Sequence, residues 1–212
     1  MKIIEVKTLA IPEVKIIRFA RFNDQRGYFT ETYRKSDLAN NPDTSFMKKV
    51  NFLQCNDTFS KATTVRGLHF QWNPFMGKLI RVIVGNIIDV ALDIRKNSPT
   101  FGKIVAYELG SEASHDYNDW IWVPPGFAHG VIVIKDSRVE YFCSGEYSPG
   151  CEASISPLAQ DIDWSLCDKE TRKKFDSIVK NTQLMTDKDK NGHTMKSWLD
   201  DKNSDNFIYG KC

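Results

Sequence analysis

Apolar and polar residues alternate through the middle of the chain, a pattern that predicts half-buried β-strands. In residues 87–94, Ile88 and Leu92 fall on one face while Asp89 and Asp93 fall on the other. The same reasoning predicts further strands at residues 49–54, 64–71, 78–84, 101–109, 120–123, 130–134 and 139–143. Because these short strands follow one another with turns and no helix between them, we predict a mainly β fold, an antiparallel sandwich or barrel.

A tight-turn signal, Gly85-Asn86, lies between the predicted strands 78–84 and 87–94. A glycine next to an asparagine favours a two-residue hairpin connection. We therefore expect these two strands to be separate and joined by a turn.

Helical periodicity is confined to the C-terminal part of the chain. Phe175 and Val179 share one helical face in a segment that Ser165 or Asp168 could cap, and a shorter helix is expected around residues 195–199. These helices should pack outside the β core, and the charged residues 187–190 between them are interpreted as a solvated turn. No linker is evident, so we expect one domain over residues 1–212, in which 165–212 is a helical C-terminal extension.

Composition excludes several classes of function. The chain has 212 residues, is 41% hydrophobic and carries a net charge of +2, which gives no electrostatic reason to expect nucleic acid or a membrane as partner. No apolar run approaches the roughly 20 residues of a spanning helix. The N-terminus lacks a long apolar signal region, so a cytoplasmic protein is expected.

Metal and redox motifs are missing from the sequence. The five cysteines form no CxxC pair, which argues for free thiols and against a thiolate zinc site. The four histidines form neither H-x-H nor HExxH, and there is no GxGxxG fingerprint or P-loop. We therefore expect no metal and no cofactor.

Candidate chemistry lies around His69, which is near Arg66, Lys78 and Arg81 in sequence. An imidazole that takes up a proton near neutral pH, beside cations that hold an anion, suits enolate chemistry on a phosphorylated substrate. A structural histidine in a basic strand pair is the alternative. Arg66 and His69 have opposite strand parity, so they converge only if Gly67 introduces a bulge or bend.

Two further side chains have more than one interpretation. Tyr141 shares a face with Val139 and Cys143, which suits a barrel interior, and it is either a core tyrosine or a phenol aimed into a ligand cavity. His129 follows Pro-Pro-Gly and precedes Gly130, and glycines on both sides let the backbone approach a ligand or a neighbouring chain closely.

A set of motifs spread over residues 20–165 carries a family resemblance. They are DQRGYFTE at 24–31, QCN at 54–56, RGLHFQ at 66–71, KLIRV at 78–82, the runs 89–95 and 98–102, PPGFAHG at 124–130, YFC at 141–143 and YSP at 147–149. In this order and spacing they resemble the nucleotide-sugar 3,5-epimerase family typified by dTDP-4-dehydrorhamnose 3,5-epimerase, a metal-free branch of the cupin superfamily. The resemblance implies a cupin-type jelly roll.

The resemblance also implies roles for individual residues. His69 would be the general base that removes the proton α to the C4 ketone, and Lys78 would stabilise negative charge on O4. Tyr141 would deliver a proton from the opposite face of the sugar. Asp189 matches the aspartate that orients the histidine, with Asp187 held in reserve.

The implied partner is a nucleotide-diphosphate sugar bound by a homodimer. The positions that match the sugar and diphosphate pocket are Arg26, Glu31, Gln54, Asn56, Arg66 and His129. Phe29 would pack near the nucleotide across the dimer interface.

The chain departs from the family at two places. Asn56 is followed by Asp57-Thr58 where many members have His-Ser, and the lysine-rich residues 168–180 lengthen the connection from Trp164 to the catalytic aspartate. The chain resembles a branch that acts on GDP-linked 4-keto-6-deoxy-heptoses in bacterial capsule synthesis.

Three functions are weighed on this basis. The first is an epimerase acting at C3 and C5 of a nucleotide-linked 4-keto-6-deoxy sugar, and Tyr141 favours it. The second is a C3-only epimerase or 3,4-ketoisomerase on the same substrate class. The third is a non-catalytic sugar-binding cupin, against which the joint presence of His69, Lys78 and Tyr141 argues.

Overall fold

The computed structural model describes residues 1–112 and 114–212, which form a mainly β molecule with helices concentrated at the C-terminal end. The strands are β1 Ile3–Thr8, β2 Lys15–Ala20, β3 Phe22–Asp24, β4 Gly27–Phe29, β5 Gln54–Ser60, β6 Val65–Gln71, β7 Lys78–Asp93, β8 Ile104–Ser111, β9 Tyr117–Val123, β10 Phe127–Cys143 and β11 Glu152–Ser154. The α-helices are α1 Lys35–Asn40, α2 Lys169–Asn181, α3 Asp187–Lys190 and α4 Met195–Asp200, and 3-10 helices cover Pro42–Met47 and Lys202–Asn206.

Two long antiparallel strands, β7 and β10, belong to both layers of a sandwich. The first half of β7 pairs with β9 on one side and with the second half of β10 on the other, and that half of β10 pairs with β5. The second half of β7 pairs with β8 and with the first half of β10, which pairs in turn with β6. The antiparallel jelly-roll arrangement predicted from the sequence is confirmed.

The expected turn at Gly85-Asn86 is wrong, because β7 runs through it without a break. Gly85 has φ +99°, and a Cβ there would lie 2.3 Å from the Asp136 carbonyl oxygen. The register of β10 shifts opposite this point, and Ser137 Oγ accepts a hydrogen bond from the Asn86 backbone N–H at 3.0 Å. Gly85-Asn86 is therefore the corner at which the strand changes layer, a place where sandwiches use bulges and bends.

The described residues form three clusters of buried apolar side chains. The central one fills the space between the layers and includes Ile80, Val82 and Val139. The outer face of one layer carries the predicted apolar stripe of the second half of β7, which packs against α2 and α4 through Phe175 and Trp198. The prediction that the C-terminal helices pack outside the β core is confirmed.

Other strands of the structure differ from those predicted from the sequence. The strand predicted at 49–54 is wrong, since β5 begins at Gln54 and continues to Ser60. The four N-terminal strands were not predicted, and β3 and β4 form a separate exposed hairpin. Among the described residues, the cysteines are all free and no helix is long and apolar enough to cross a membrane.

Candidate active site

A cavity opens between the two layers and takes its walls from β5, β6, β7, β10 and α3. It consists of two adjoining lobes with volumes of about 550 Å³ and 320 Å³. His69, Lys78 and Tyr141 line both lobes. Together the lobes match the size of ordinary small-ligand sites.

His69 projects from β6 into the cavity and meets a carboxylate from α3. Its Nε2 lies 2.7 Å from Asp189 Oδ1, and the Asp189 side chain is almost fully buried. Burial by itself would raise the pKa of Asp189, but the hydrogen bonds from His69 and Thr186 hold that pKa below its ordinary value. An ionised aspartate in this position accepts a hydrogen bond from the imidazole and fixes its orientation.

The solvated turn expected at residues 187–190 is wrong. Thr186 caps a short helix there, accepting a hydrogen bond from the Asp189 backbone N–H at 3.2 Å. Asp187 has a side chain that is 91% exposed, and Asp189 points inwards. The structure thus brings Asp189, and not the reserve Asp187, to His69.

Arg66 joins His69 in the narrower lobe because β6 carries one extra residue between them. His69 pairs with His129 and Arg66 with Val131, so three steps on β6 oppose two on β10. The extra residue falls at Gly67, whose φ is +122°, and a Cβ there would lie 2.6 Å from Gly130 Cα. The condition that the sequence set for Arg66 and His69 to converge, a bulge or bend at Gly67, is met.

Lys78 and Tyr141 enter the cavity from β7 and β10. Burial lowers the pKa of Lys78, although the nearby Cys143 and Asp89 act in the opposite direction. Burial raises the pKa of the Tyr141 phenol, and Asn56 offsets only part of that rise. Tyr141 therefore keeps its proton over a wider pH range than a free tyrosine, and its side chain lines the cavity as one of the two interpretations foresaw.

A second histidine–carboxylate pair closes the narrower lobe. His129 Nε2 lies 2.8 Å from Asp89 Oδ2, and the Asp89 side chain is fully buried. Burial lowers the pKa of His129 more than Asp89 raises it. His129 thus reaches the cavity, where its imidazole resists protonation.

Polar side chains of β5 line the wider lobe. Gln54 Nε2 donates to Asn56 Oδ1 at 3.0 Å, and Gln54 Oε1 accepts from the backbone N–H of Tyr147 at 2.9 Å. These residues present amide groups to the cavity from alternate positions of one strand, which is the period-2 geometry of a β-strand.

Sequence reasoning missed a cluster at the cavity mouth. Lys188 Nζ donates to Glu152 Oε1 at 2.8 Å, and the Tyr147 hydroxyl donates to the same oxygen at 2.9 Å. All three residues line the wider lobe. Lys188 could have been noticed as the residue next to Asp189, but the interpretation of 187–190 as a solvated turn left it out.

Three predicted pocket residues do not reach this cavity. Arg26 and Phe29 lie on the β3–β4 hairpin with Arg26 paired to Asp24, and the Phe29 side chain is 69% exposed. Glu31 binds the N-terminal ammonium of Met1 and Arg34. Within one chain, Phe29 and Glu31 line a separate patch with Phe22.

Metal ligands are not grouped in the part of the chain that the structure describes. No set of three His, Cys, Asp or Glu side chains there is arranged to hold an ion. His69 and His129 are each engaged by one carboxylate instead.

Comparison with known proteins decides the family. The model of the dTDP-4-dehydrorhamnose 3,5-epimerase family matches residues 8–197. The chain belongs to this family.

Curated members of the family support the match along most of their length. The dTDP-4-dehydrorhamnose 3,5-epimerase of Salmonella typhimurium is 40% identical over 165 residues, covering 76% of this chain and 85% of that protein. The enzyme of the same name from Shigella flexneri is 36% identical over 186 residues, covering 86% and 91%.

Solved structures of the epimerase family share the fold. The crystal structure of dTDP-6-deoxy-D-glucose-3,5-epimerase from Legionella pneumophila Philadelphia 1, in complex with dTDP-4-keto-L-rhamnose, superposes with a TM-score of 0.78 and 29% identity over 96% of this chain and 97% of that one. The dTDP-4-dehydrorhamnose 3,5-epimerase of Sulfolobus tokodaii gives 0.70 and 36% over 92% and 97%. The chain is therefore an epimerase with a cupin-like fold, and its enzyme class is isomerase.

Proposed function

We propose that this epimerase inverts C3 and C5 of a nucleotide-diphosphate-linked 4-keto-6-deoxy sugar through an enolate. The observation that carries the proposal is the 2.7 Å contact between His69 and the buried Asp189, in a cavity that Lys78 and Tyr141 also line. A base, a cation and a proton donor around one space are the groups that deprotonation and reprotonation of a carbon next to a ketone require.

In the proposed reaction His69 removes the proton from the carbon next to the C4 ketone. The electrons of that C–H bond form the enolate double bond, and the carbonyl electrons move onto O4. Lys78 stabilises the charge on O4, because a fixed cation in a cavity of low dielectric stabilises developing charge better than bulk water. A positioned base contributes roughly 10²–10⁴-fold to such a step.

Tyr141 then donates its phenolic proton to the same carbon from the opposite face, so the C4 carbonyl re-forms and the centre is inverted. The proton that His69 took passes to solvent, and solvent reprotonates the phenolate. The raised pKa of Tyr141 keeps it in the form that can donate. Its presence in the cavity favours inversion at both C3 and C5 over C3-only epimerisation or ketone isomerisation. Simple sugar binding requires no such pairing of acid and base.

Two substrates are proposed in order of support. The first is a dTDP-linked 4-keto-6-deoxyhexose, since the relatives described above carry dTDP-linked sugars in their names. The second is a GDP-linked 4-keto-6-deoxy-heptose of bacterial capsule synthesis, which rests on the inserted segment 168–180. That segment forms α2, and its buried Phe175 and Val179 pack into the outer core. We place the reaction in surface polysaccharide biosynthesis.

We further propose a homodimer in which the β3–β4 hairpin completes the partner's cavity. Phe22 and Phe29 expose 50% and 69% of their side chains, and Arg26 exposes 84%. Exposed aromatic groups beside an arginine are typical of interface anchors. This arrangement accounts for why Arg26, Phe29 and Glu31 match substrate-pocket positions and yet lie apart from the cavity of their own chain.

The experiment is incubation in D₂O with each of the two substrates, followed by proton NMR. Loss of the C3 and C5 proton signals supports the double epimerase, and the faster substrate identifies the nucleotide. Exchange at C3 alone supports the C3-only epimerase. Binding without any exchange contradicts the proposed reaction.

A further inference from the structure

The carboxylate of Asp189 is held at both of its oxygens. Oδ1 lies 2.7 Å from His69 Nε2, while Oδ2 accepts a hydrogen bond from the Thr186 hydroxyl at 2.9 Å. The same hydroxyl oxygen accepts from the Asp189 backbone N–H at 3.2 Å. Thr186 lines the narrower lobe together with Asp189. One side chain thus binds both the main chain and the carboxylate of the residue that faces the base.

We infer that Thr186 is a positioning residue of the epimerase, which sets the orientation of the Asp189 carboxylate and, through it, that of His69. This inference rests on the proposed function. The terminal torsion of an aspartate has a broad preference, so the backbone alone does not fix where Oδ1 points. A hydroxyl has one proton to donate, and Thr186 donates it to Oδ2. Fixing Oδ2 leaves Oδ1 directed at the imidazole.

Thr186 also affects how readily Asp189 takes up a proton. Burial raises the pKa of Asp189, while hydrogen bonds from His69 and Thr186 lower it. The other groups that face Asp189 are Lys188, its neighbour on α3, and the Gly67 backbone. Removing the hydroxyl should therefore raise the pKa of Asp189, so on acidification the variant loses the carboxylate that faces the imidazolium formed in the reaction at a higher pH than wild type does. The acid limb of kcat/KM should then move to higher pH.

A matched control exists in the same part of the chain. Thr194 caps α4 as Thr186 caps α3, accepting from the Ser197 backbone N–H at 3.0 Å. Thr194 is not among the residues that line either lobe. Thr194→Val removes a helix cap of the same kind without touching the Asp189 carboxylate.

The experiment compares Thr186→Val, Thr186→Ser and Thr194→Val in deuterium uptake, kcat, KM and the pH profile of kcat/KM. We expect Thr186→Val to lower kcat roughly 10- to 100-fold, with KM little changed. A loss of this size is usual when a residue that orients an active-site side chain is removed. The acid limb of the kcat/KM profile of Thr186→Val should shift to higher pH. Thr186→Ser should restore most of the kcat and most of the wild-type pH profile. Thr194→Val should behave as wild type.

Each outcome decides the inference. If Thr186→Val turns over as wild type, or if Thr194→Val loses as much activity with the same pH profile, Thr186 does not position the dyad, although the proposed function stands. If Thr186→Ser fails to recover activity while it unfolds like wild type, the hydroxyl is not the determinant. If wild type itself exchanges no sugar proton, the proposed function fails and this inference fails with it.

Discussion

Burial shifts the proton affinities of the two groups that flank the base in opposite directions. It lowers the pKa of Lys78 and raises that of Tyr141. The phenol therefore holds its proton, as a proton donor must, while the ammonium is kept in an environment that disfavours its charge. A cation that is poorly solvated before the reaction interacts strongly with an oxyanion formed beside it.

The same burial predicts a conflict between stability and activity at Lys78. The folded state releases the Lys78 proton below the ordinary pKa of 10.5, so the unfolded state binds more protons in that window and stability rises with pH there. Below the window the buried charge costs about 1.4 kcal/mol for each pKa unit of depression. Lys78→Met should therefore stabilise the protein at pH 7, with a gain that shrinks towards pH 10.5.

Urea unfolding across that pH range, together with turnover, checks this prediction. Activity of Lys78→Met should fall roughly 10²–10³-fold, the usual loss when one group that stabilises an oxyanion is removed. Lys61→Met, at an exposed position, is the control and should change neither property. A Lys78→Met protein that is less stable than wild type at pH 7 contradicts the account of the burial.

At the scale of strands, Gly67 determines how Arg66 and His69 are placed relative to each other. Its bulge brings Arg66 and His69 to one lobe, and its backbone lies against Gly130 with no space for a Cβ. Gly150 also has a positive φ, +83°, but a Cβ there would meet nothing within 4 Å. Alanine substitutions at the two glycines therefore distinguish the free-energy cost of the backbone conformation from the cost of a steric clash.

Gly150→Ala should cost about 1–2 kcal/mol, the penalty for a left-handed conformation alone. Gly67→Ala should cost on the order of 1–3 kcal/mol more, because the surrounding strands must move apart. It should also lower activity by displacing His69. Denaturant unfolding of both variants measures the difference, and equal losses of stability would show that the contact with Gly130 is not tight.

The sequence pattern predicts some strands and helices correctly and others not. Alternation correctly places β6 and the second half of β7, where Ile88 and Leu92 share one face, although both faces of that half of β7 are buried. It fails at residues 187–190, where four charged side chains look solvated yet Asp189 is buried by His69 and Thr186. Only a tertiary partner 120 residues away explains that burial. The turn predicted at Gly85-Asn86 is also wrong, because glycine and asparagine occur both at hairpin turns and at the corner where a strand changes layer.

At the scale of the whole molecule, the cavity of one chain lacks three of the residues that the family motifs assign to it. The pairing of Asp189 with His69 was predicted only through the family resemblance, and the same resemblance predicts that Phe29 packs across a dimer interface. The alternation of apolar and polar residues predicts neither the Asp189–His69 pairing nor a dimer interface, because it reports burial within one chain. The exposed aromatic side chains of the hairpin are the observation on which the proposed dimer rests.

Mixing two inactive variants tests the shared cavity. Arg26→Ala/Phe29→Ala removes the hairpin contacts and His69→Asn removes the base, and each protein alone should be inactive. After subunit exchange at equal amounts, about a quarter of wild-type activity should return, since half of the dimers are mixed and each has one complete site. No recovery, with mixed dimers present by native mass spectrometry, contradicts a site shared between chains.

The central claim is that His69 removes a proton next to the sugar ketone. Deuterium uptake at C3 and C5 in D₂O, followed by proton NMR, tests it in wild type, His69→Asn and the exposed control His115→Asn. We predict that His69→Asn loses exchange at both carbons by 10²-fold or more, roughly the contribution of a positioned base, while it still binds the nucleotide sugar. The control should exchange as wild type does. Near-wild-type exchange in His69→Asn would contradict the assignment of the base.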